Sequence, residues 1–383
     1  MLKTFELIKD LCPNGVEFIK LKDVAEVLNG YAFKSKQYVD KGIRVIRISD
    51  VQKGRISDKD VKYYPEASKK EIERYMLNDG DIVVSLTGDV GRVAQIQDVH
   101  LPAGLNQRVA CLRGHTGKVL NRYLFHLLDQ VSFESDAIQA GRGSAQKNLS
   151  TVWLGNYLVP IPPIEVQAEI VRILDSFTEL TAELTAELAA RKKQYEFYRE
   201  DLLGFEGRTD VEWKKLGAVV KIETGRLNAN EAVEGGKYMF FTTAAEPSRI
   251  DKYRWDTEAL LIAGNANVGA VQYYKGKFEA YQRTYVITEV TEELDIKFLY
   301  YVLRNSLVSH LSNKSKKAAM TYIVLGDLQN FTLPLPPLPV QHQIVEILDS
   351  FTELIAELTA EIELRQKQYE FYREKLLTFD RMG

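Results

Sequence analysis

The longest periodic pattern in this chain occurs twice. Between 161 and 205, apolar and aromatic residues fall at Ile170, Ile173, Phe177, Leu180, Leu184, Leu188, Tyr195, Tyr198, Leu202 and Phe205. The steps are mostly three and four, the spacing of a coiled-coil stripe along one helix. Leu180, Leu184 and Leu188 are four apart twice running, inside a tandem Thr-Ala-Glu-Leu unit at 181–184 and 185–188. This reads as a stutter that locally unwinds a supercoil. Between 335 and 379 the stripe returns through Phe351, Leu354, Leu358, Ile362, Tyr369 and Tyr372. At a constant offset of 174 residues, 32 of 45 aligned positions are identical. Such identity marks an internal duplication. Pro163 suits a first helical turn and Gly204 the residue past a helix end. About 40 residues rising 1.5 Å each predict a rod of roughly 60 Å. So narrow a stripe calls for a matching seam, and the two rods are expected to pack on each other. The alternative is that each covers a globular domain.

The stretches before the rods have a different rhythm. Within 1–160, Val16–Asn29 mixes a short strand with a helical turn, and Gly30–Ser35 (GYAFKS) reads as a loop. Arg44–Asp50 alternates like a strand, and Gly80–Leu86 (GDIVVSL) reads as a buried one. A turn at Thr87–Arg92 leads to the strand VAQI, and another strand is expected over Asn106–Leu112. A helix follows at Arg122–Gln130, then a basic Gly-rich loop at Gly141–Asn148. Residues 207–334 repeat the plan loosely. Val211–Leu216 echoes Val16–Leu21, Ala259–Gly264 echoes GDIVVSL, Gln282-Arg283 echoes Gln107-Arg108, and Lys297–Arg304 echoes the helix. The fold class is therefore α+β in two pseudo-symmetric halves. Each is a mainly β globular domain (1–160, 207–334) followed by a helical region (161–206, 335–383), with the helices paired as an antiparallel coiled coil. Joining the last residues to the first would recreate the junction after the first rod, so the halves are close to circularly equivalent.

Charge sharpens this division. Residues 164–206 hold 10 acids and 5 bases, and 338–380 hold 9 and 4, so the rods carry −10 and the other 297 residues +7 of the total −3. Glu179, Glu183 and Glu187 form an acidic row matched by Glu353, Glu357 and Glu361. Most such rows are solvated faces, and these would repel phosphate, so any nucleic-acid contact belongs to the globular segments. Cys12 and Cys111 are too few for a zinc cluster and fit a reducing cytoplasm. No stretch approaches a membrane span. There is no GxGxxG, no GxxxxGK[ST] and no Asn-Pro-Pro-Tyr tetrapeptide. The acidic pairs Asp79/Asp81 and Asp58/Asp60 flank strands and are weak candidates for acid–base work. No catalytic and no metal-binding residue is expected.

Bases and amides cluster in the loops of both globular segments. The first holds Tyr31, Lys34, Lys36, Arg92, Arg108, Arg142, Ser144, Gln146 and Lys147. The second holds Arg226, Asn228, Asn230, Asn265, Asn267, Arg283, Lys314, Lys316 and Lys317. Arg and Lys suit guanine edges and phosphates, Asn and Gln suit adenine. Singly, each is more often plain surface; as two clusters at matching places they favour DNA. The rival is a coiled-coil adapter joining proteins without DNA.

The sequence resembles the specificity subunits of type I restriction-modification systems over its whole length. The likeness rests on the domain–rod–domain–rod order, on Pro160–Pro163 (PIPP) and Pro334–Pro337 (PLPP), and on Gln-x-x-Ile-Val-x-Ile-Leu-Asp. The Thr-Ala-Glu-Leu units, the Gln-Tyr-Glu-Phe-Tyr-Arg endings and GDIVVSLTGDVG add to it. The resemblance implies two target recognition domains, each reading half of a split, asymmetric DNA site. It implies that the rods set the gap and dock two modification subunits through Phe177, Leu180, Leu184, Leu188, Tyr195 and Tyr198 and through Phe351, Leu354, Leu358, Ile362, Tyr369 and Tyr372. Those partners would bring S-adenosylmethionine, and two restriction subunits would bring ATP and magnesium; this chain would bind no cofactor itself.

Overall fold

The computed structural model describes residues 2–141, 148–314 and 322–382. The chain divides into two compact units, one of residues 1–183 with 362–383, the other of residues 184–361. The division falls within each long helix, so each unit takes one part of both rods.

In the first unit, a four-stranded antiparallel sheet has the order Ala25–Asn29, Val109–Gly114, Ile82–Ser85, Val93–Gln95. The run Ile82-Val83-Val84 is buried on both faces, which is why it lacks polar alternation. Ile82 and Val84 join Leu112, Tyr123, Leu124 and Phe133 in the core beneath the helices Asn121–Leu128 and Val131–Ala140. Val83 points the other way, to Ile46, Leu105 and Cys111. There a three-stranded sheet forms from Tyr63–Tyr64, Ile43–Ile46 and Ala103–Leu105. Two expectations change. The strand expected over 106–112 begins only at Val109 and runs to Gly114; residues 106–108 are a loop, and the separate strand before it, Ala103–Leu105, belongs to the other sheet. The expected alternation at 44–50 fails because all of Ile43–Ile46 is buried. Arg44 is admitted there because its guanidinium reaches Asp58 at 2.8 Å and the Ser57 carbonyl at 2.9 Å.

In the second unit one sheet of six strands takes this place. Its order is Val220–Thr224, Thr284–Val290, Trp255–Ala263, Val271–Ala280, Tyr238–Phe241, Ser248–Ile250. The two-faced burial recurs: Leu260 and Ile262 face the helix Ile296–Lys314, while Ala259 and Leu261 face Phe241, Trp255 and Phe278.

The long helices span Ile164–Leu202 and Leu338–Leu377. Within each unit their segments run antiparallel and also cap the globular core, so both expectations for the stripe hold together. In the first unit Val166, Ile170, Ile173 and Leu174 share a core with Leu376 and Leu377. Phe177 stacks on Tyr372 there, with centroids 5.7 Å apart at 21°. In the second, Leu203 and Phe205 meet Ile344, Val345 and Leu348, and Tyr198 stacks on Phe351 at 5.5 Å and 29°. It is the same ring pair with the roles of the two copies exchanged.

Candidate nucleic-acid interface

Each globular segment is fastened to a long helix by the same residues of the duplicated motif. Gln167 and Gln341 are fully buried. Gln167 accepts from the Leu120 N–H at 2.9 Å and donates to the carbonyls of Pro162 at 2.9 Å and Lys118 at 3.2 Å. Gln341 accepts from the Asp295 N–H at 2.8 Å and donates to Pro336 at 2.7 Å and Glu293 at 2.8 Å. Eight residues on, the aspartate that closes Gln-x-x-Ile-Val-x-Ile-Leu-Asp takes two side chains from the domain helix. Asp175 accepts from Arg122 Nε and His126 Nε2, both at 2.7 Å. Asp349 accepts from Lys297 Nζ and Tyr301 Oη, both at 2.6 Å. Burial pushes the Asp175 carboxyl up, but the His126 and Arg122 hydrogen bonds outweigh it and hold it below the usual range. Burial also drives His126 down against the pull of Asp175, leaving a neutral ring that donates through Nε2. A strand pair braces each junction: Phe18 faces Pro160 in the first unit and Trp213 faces Pro334 in the second.

Away from these clamps, three loops meet in each unit through equivalent backbone bonds. Gln107 N–H reaches the Tyr31 carbonyl at 2.9 Å, and Gln282 N–H reaches that of Leu227 at 2.9 Å. Leu86 N–H bonds the Arg108 carbonyl at 3.0 Å, and Gly264 N–H that of Arg283 at 2.9 Å. Leu149 then bonds Leu86, and Ile323 bonds Gly264, each at 2.7 Å. The first loop can lie this close because Gly30 and Gly225 lack a side chain. A Cβ there would stand 2.2 Å from the Asn106 carbonyl oxygen and 2.0 Å from that of Ala280.

This convergence gathers Tyr31, Arg92 and Arg108 in one unit and Arg226, Asn228, Asn265, Asn267 and Arg283 in the other. Arg108, Arg226 and Arg283 are exposed and offer free donors of the kind that meets phosphates and guanine. Arg92 instead pairs with Asp89 at 2.8 Å and with Gln52 at 3.2 Å. Tyr31 donates its hydroxyl to Glu71, which pushes its pKa up to about 12, and its ring packs edge-on against Phe33 at 5.1 Å. Asn228 accepts from Gln282 at 3.1 Å, and Asn267 donates to the Thr243 carbonyl at 2.9 Å. Lys34, Lys36 and Asn230 are exposed beside short 3₁₀ turns at Ser35–Gln37 and Ala229–Glu231. Lys314 ends a helix. Arg142, Ser144, Gln146, Lys147, Lys316 and Lys317 lie outside the described residues. Along the rods, Leu180, Leu184, Leu188, Leu354 and Ile362 are half-buried and Leu358 is buried. Tyr195 stands 6.3 Å from Phe351 in the second unit, and Tyr369 covers His126 in the first. The most exposed aromatics of the described rod residues are another duplicated pair, Phe197 (66% exposed) and Phe371 (50%). Of the acidic pairs, Asp81 is bidentate to Arg113 at 2.9 and 2.6 Å, and Asp58 and Asp60 pair with Arg44 and Arg47.

Comparison with known proteins agrees with this arrangement. The type I restriction modification DNA specificity domain matches residues 13–191 and again 209–364. The chain belongs to that family. The EcoR124I/EcoR124II specificity subunit of Escherichia coli is 32% identical over 304 residues, 68% of this chain and 72% of that protein. A putative specificity subunit of Haemophilus influenzae is 27% identical over 98% of this chain and 99% of its own length. The Escherichia coli EcoDI specificity subunit is 35% identical, but the match spans only 39% of that protein. In fold, the type I S subunit from M. genitalium superposes with a TM-score of 0.68 at 13% identity, over 95% of this chain and 96% of that one. Family membership decides for the DNA-recognition subunit and against the adapter without DNA. No helix among the described residues is long and apolar enough to cross a membrane.

Proposed function

We propose that each globular unit reads one half of a split, asymmetric DNA site in the cytoplasm, and that the duplicated helices set the gap between the halves. The observation that carries this is the repetition of one loop convergence and one helix clamp in two otherwise different sheets. The same pair of helices gives two equivalent outward faces, centred on Phe197 and Phe371, for two copies of a modification subunit. Exposed aromatics of this kind are common interface anchors. The methyl donor, S-adenosylmethionine, then belongs to the modification subunits, and ATP with magnesium to two restriction subunits; this chain supplies recognition and geometry without catalysis.

The test is a genome-wide map of methyladenine in cells with and without this gene. Loss of one motif of two short half-sites around a fixed gap is expected. An unchanged map in cells where the modification subunit is active overturns the reading. Deleting Thr185–Leu188 removes about 6 Å of helix and about 40° of turn. At about 3.4 Å per base pair, the gap should change by one or two base pairs with both half-sites intact; an unchanged gap sinks the ruler.

A further inference from the structure

One aromatic ring is covered by a cation in the first unit and stands open at the same place in the second. The strand that braces each junction presents Phe18 opposite Pro160 and Trp213 opposite Pro334. In the first unit the guanidinium of Arg381 lies 5.8 Å from the centre of the Phe18 ring. The backbone holds it there: Arg381 forms a bridge with Val16, and the Met382 N–H bonds the Val16 carbonyl at 3.0 Å. The 174-residue offset of the duplicated helices carries on past Phe205 and Phe379, so Asp380 aligns with Glu206 and Arg381 with Gly207. The second unit keeps the ring and the acid and has lost the cation.

Beside the open ring is a cavity of about 480 Å³, whose walls include Trp213, Phe205, Phe331, Pro334, Glu200 and Glu206. Trp213 is 43% exposed. Arg208, one residue beyond Gly207, lies over Phe205 at 5.5 Å instead and is held by Asp210 at 2.7 Å. An indole face draws a cation more strongly than a phenyl face, and arginine is the cation most often found over one. Its guanidinium is weakly hydrated, so it enters an aromatic pocket at lower cost than an ammonium does. The two carboxylates beside the ring supply acceptors of the complementary charge.

We infer that the Trp213 cavity is a docking pocket for an arginine side chain of the modification subunit. The partner's guanidinium takes in the second unit the place that Arg381 takes in the first. The inference rests on the proposed docking of modification subunits on the helices and assigns an anchor within it. The position of the pocket ties it to that partner. Glu200 follows Phe197 by three residues on one helix, so the exposed aromatic and the cavity share a face. The two docking faces are then unequal, because Arg381 already fills the slot at the first.

Two measurements on the full chain test it. In the first, N-acetylarginine amide is titrated while the tryptophan indole N–H signals are followed by NMR, with Trp213→Leu identifying the signal of Trp213. That signal should shift with a saturable, millimolar dissociation constant, and the uncharged N-acetylcitrulline amide should bind about 10-fold more weakly. No shift, or an equal shift with citrulline, overturns the inference. In the second, capture of the modification subunits is titrated. Trp213→Leu should weaken capture of one copy about 10-fold and Glu206→Gln about 3-fold, with the other copy unaffected. Glu206→Gln should not lower the melting temperature of the free chain. Phe18→Leu, at the slot that Arg381 fills, should leave both captures as they are; an equal loss there makes the ring structural and overturns the inference. Undiminished capture by Trp213→Leu and Glu206→Gln overturns it while leaving the docking of modification subunits standing. A wild-type chain that captures no modification subunit overturns that docking itself.

Discussion

The two units solve one problem with different chemistry. The helix motif is constant and offers Asp175 to one unit and Asp349 to the other; the globular segment answers with Arg122 and His126 in the first and Lys297 and Tyr301 in the second. The sheets above the clamps differ more, four strands plus three against six. The loop convergence is nevertheless the same to the individual hydrogen bond. What is held constant is the attachment to the helix and the meeting of three loops. Whatever lies between is free to change, as a protein that must read different half-sites on one frame requires.

That comparison can be broken most directly at the buried glutamines. Gln167→Ala and Gln341→Ala each strand one donor and two carbonyls, and each should destabilise its own unit by about 3 kcal/mol. Hydrogen exchange of the helices Asn121–Leu128 and Ile296–Lys314 would show it; a silent Gln341→Ala would end the claim of equivalent clamps. Next in size, Phe197→Ala and Phe371→Ala should leave folding within about 0.5 kcal/mol. Each should weaken capture of the modification subunit by about 1–2 kcal/mol, measured by titration calorimetry, and the double variant should lose both copies.

The clamps also differ in their response to acid. His126 is depressed in the folded chain, so the unfolded chain takes up its proton more readily. Its contribution is therefore complete above the ordinary value of 6.5 and is lost as pH falls below it. The slope is at most about 1.4 kcal/mol per pH unit. Asp129, pushed up to about 6 by burial beside Arg373, runs the opposite way, because its ionisation in the folded state costs stability as pH rises. Comparing wild type with His126→Asn across pH 5–8 isolates the histidine. The acid limb should flatten for the first unit only, since Lys297 and Tyr301 are both shifted upward and do not titrate in that window. The smallest contrast lies at the turn after each central strand, where Gly88 has φ +70° and Ala266 has φ +55°. Ala266→Gly should stabilise the second unit and Gly88→Ala should destabilise the first, each by about 1 kcal/mol, read from melting temperatures.

By itself the sequence determined the features that repeat or are local. The duplication, the seam from Phe177 to Tyr372, the buried run Ile82–Val84 and the pairing of Gln107-Arg108 with Gln282-Arg283 all follow from periodicity and from echoes a few residues long. The tertiary structure decided what depends on neighbours distant in the chain. The stretch 103–112 divides between two sheets because Ala103–Leu105 finds Ile43–Ile46 while Val109–Gly114 finds Ala25–Asn29 and Ile82–Ser85. Gln167 and Asp175 stand out in the sequence only as the ends of a repeated motif; their role as clamps emerges when the Leu120 amide, Arg122 and His126 are brought against them. Thr87 read only as the start of a turn, and its enclosure alone shows that its hydroxyl has no partner. Burial and hydrogen-bond satisfaction are properties of the packed surroundings, and no local pattern encodes them.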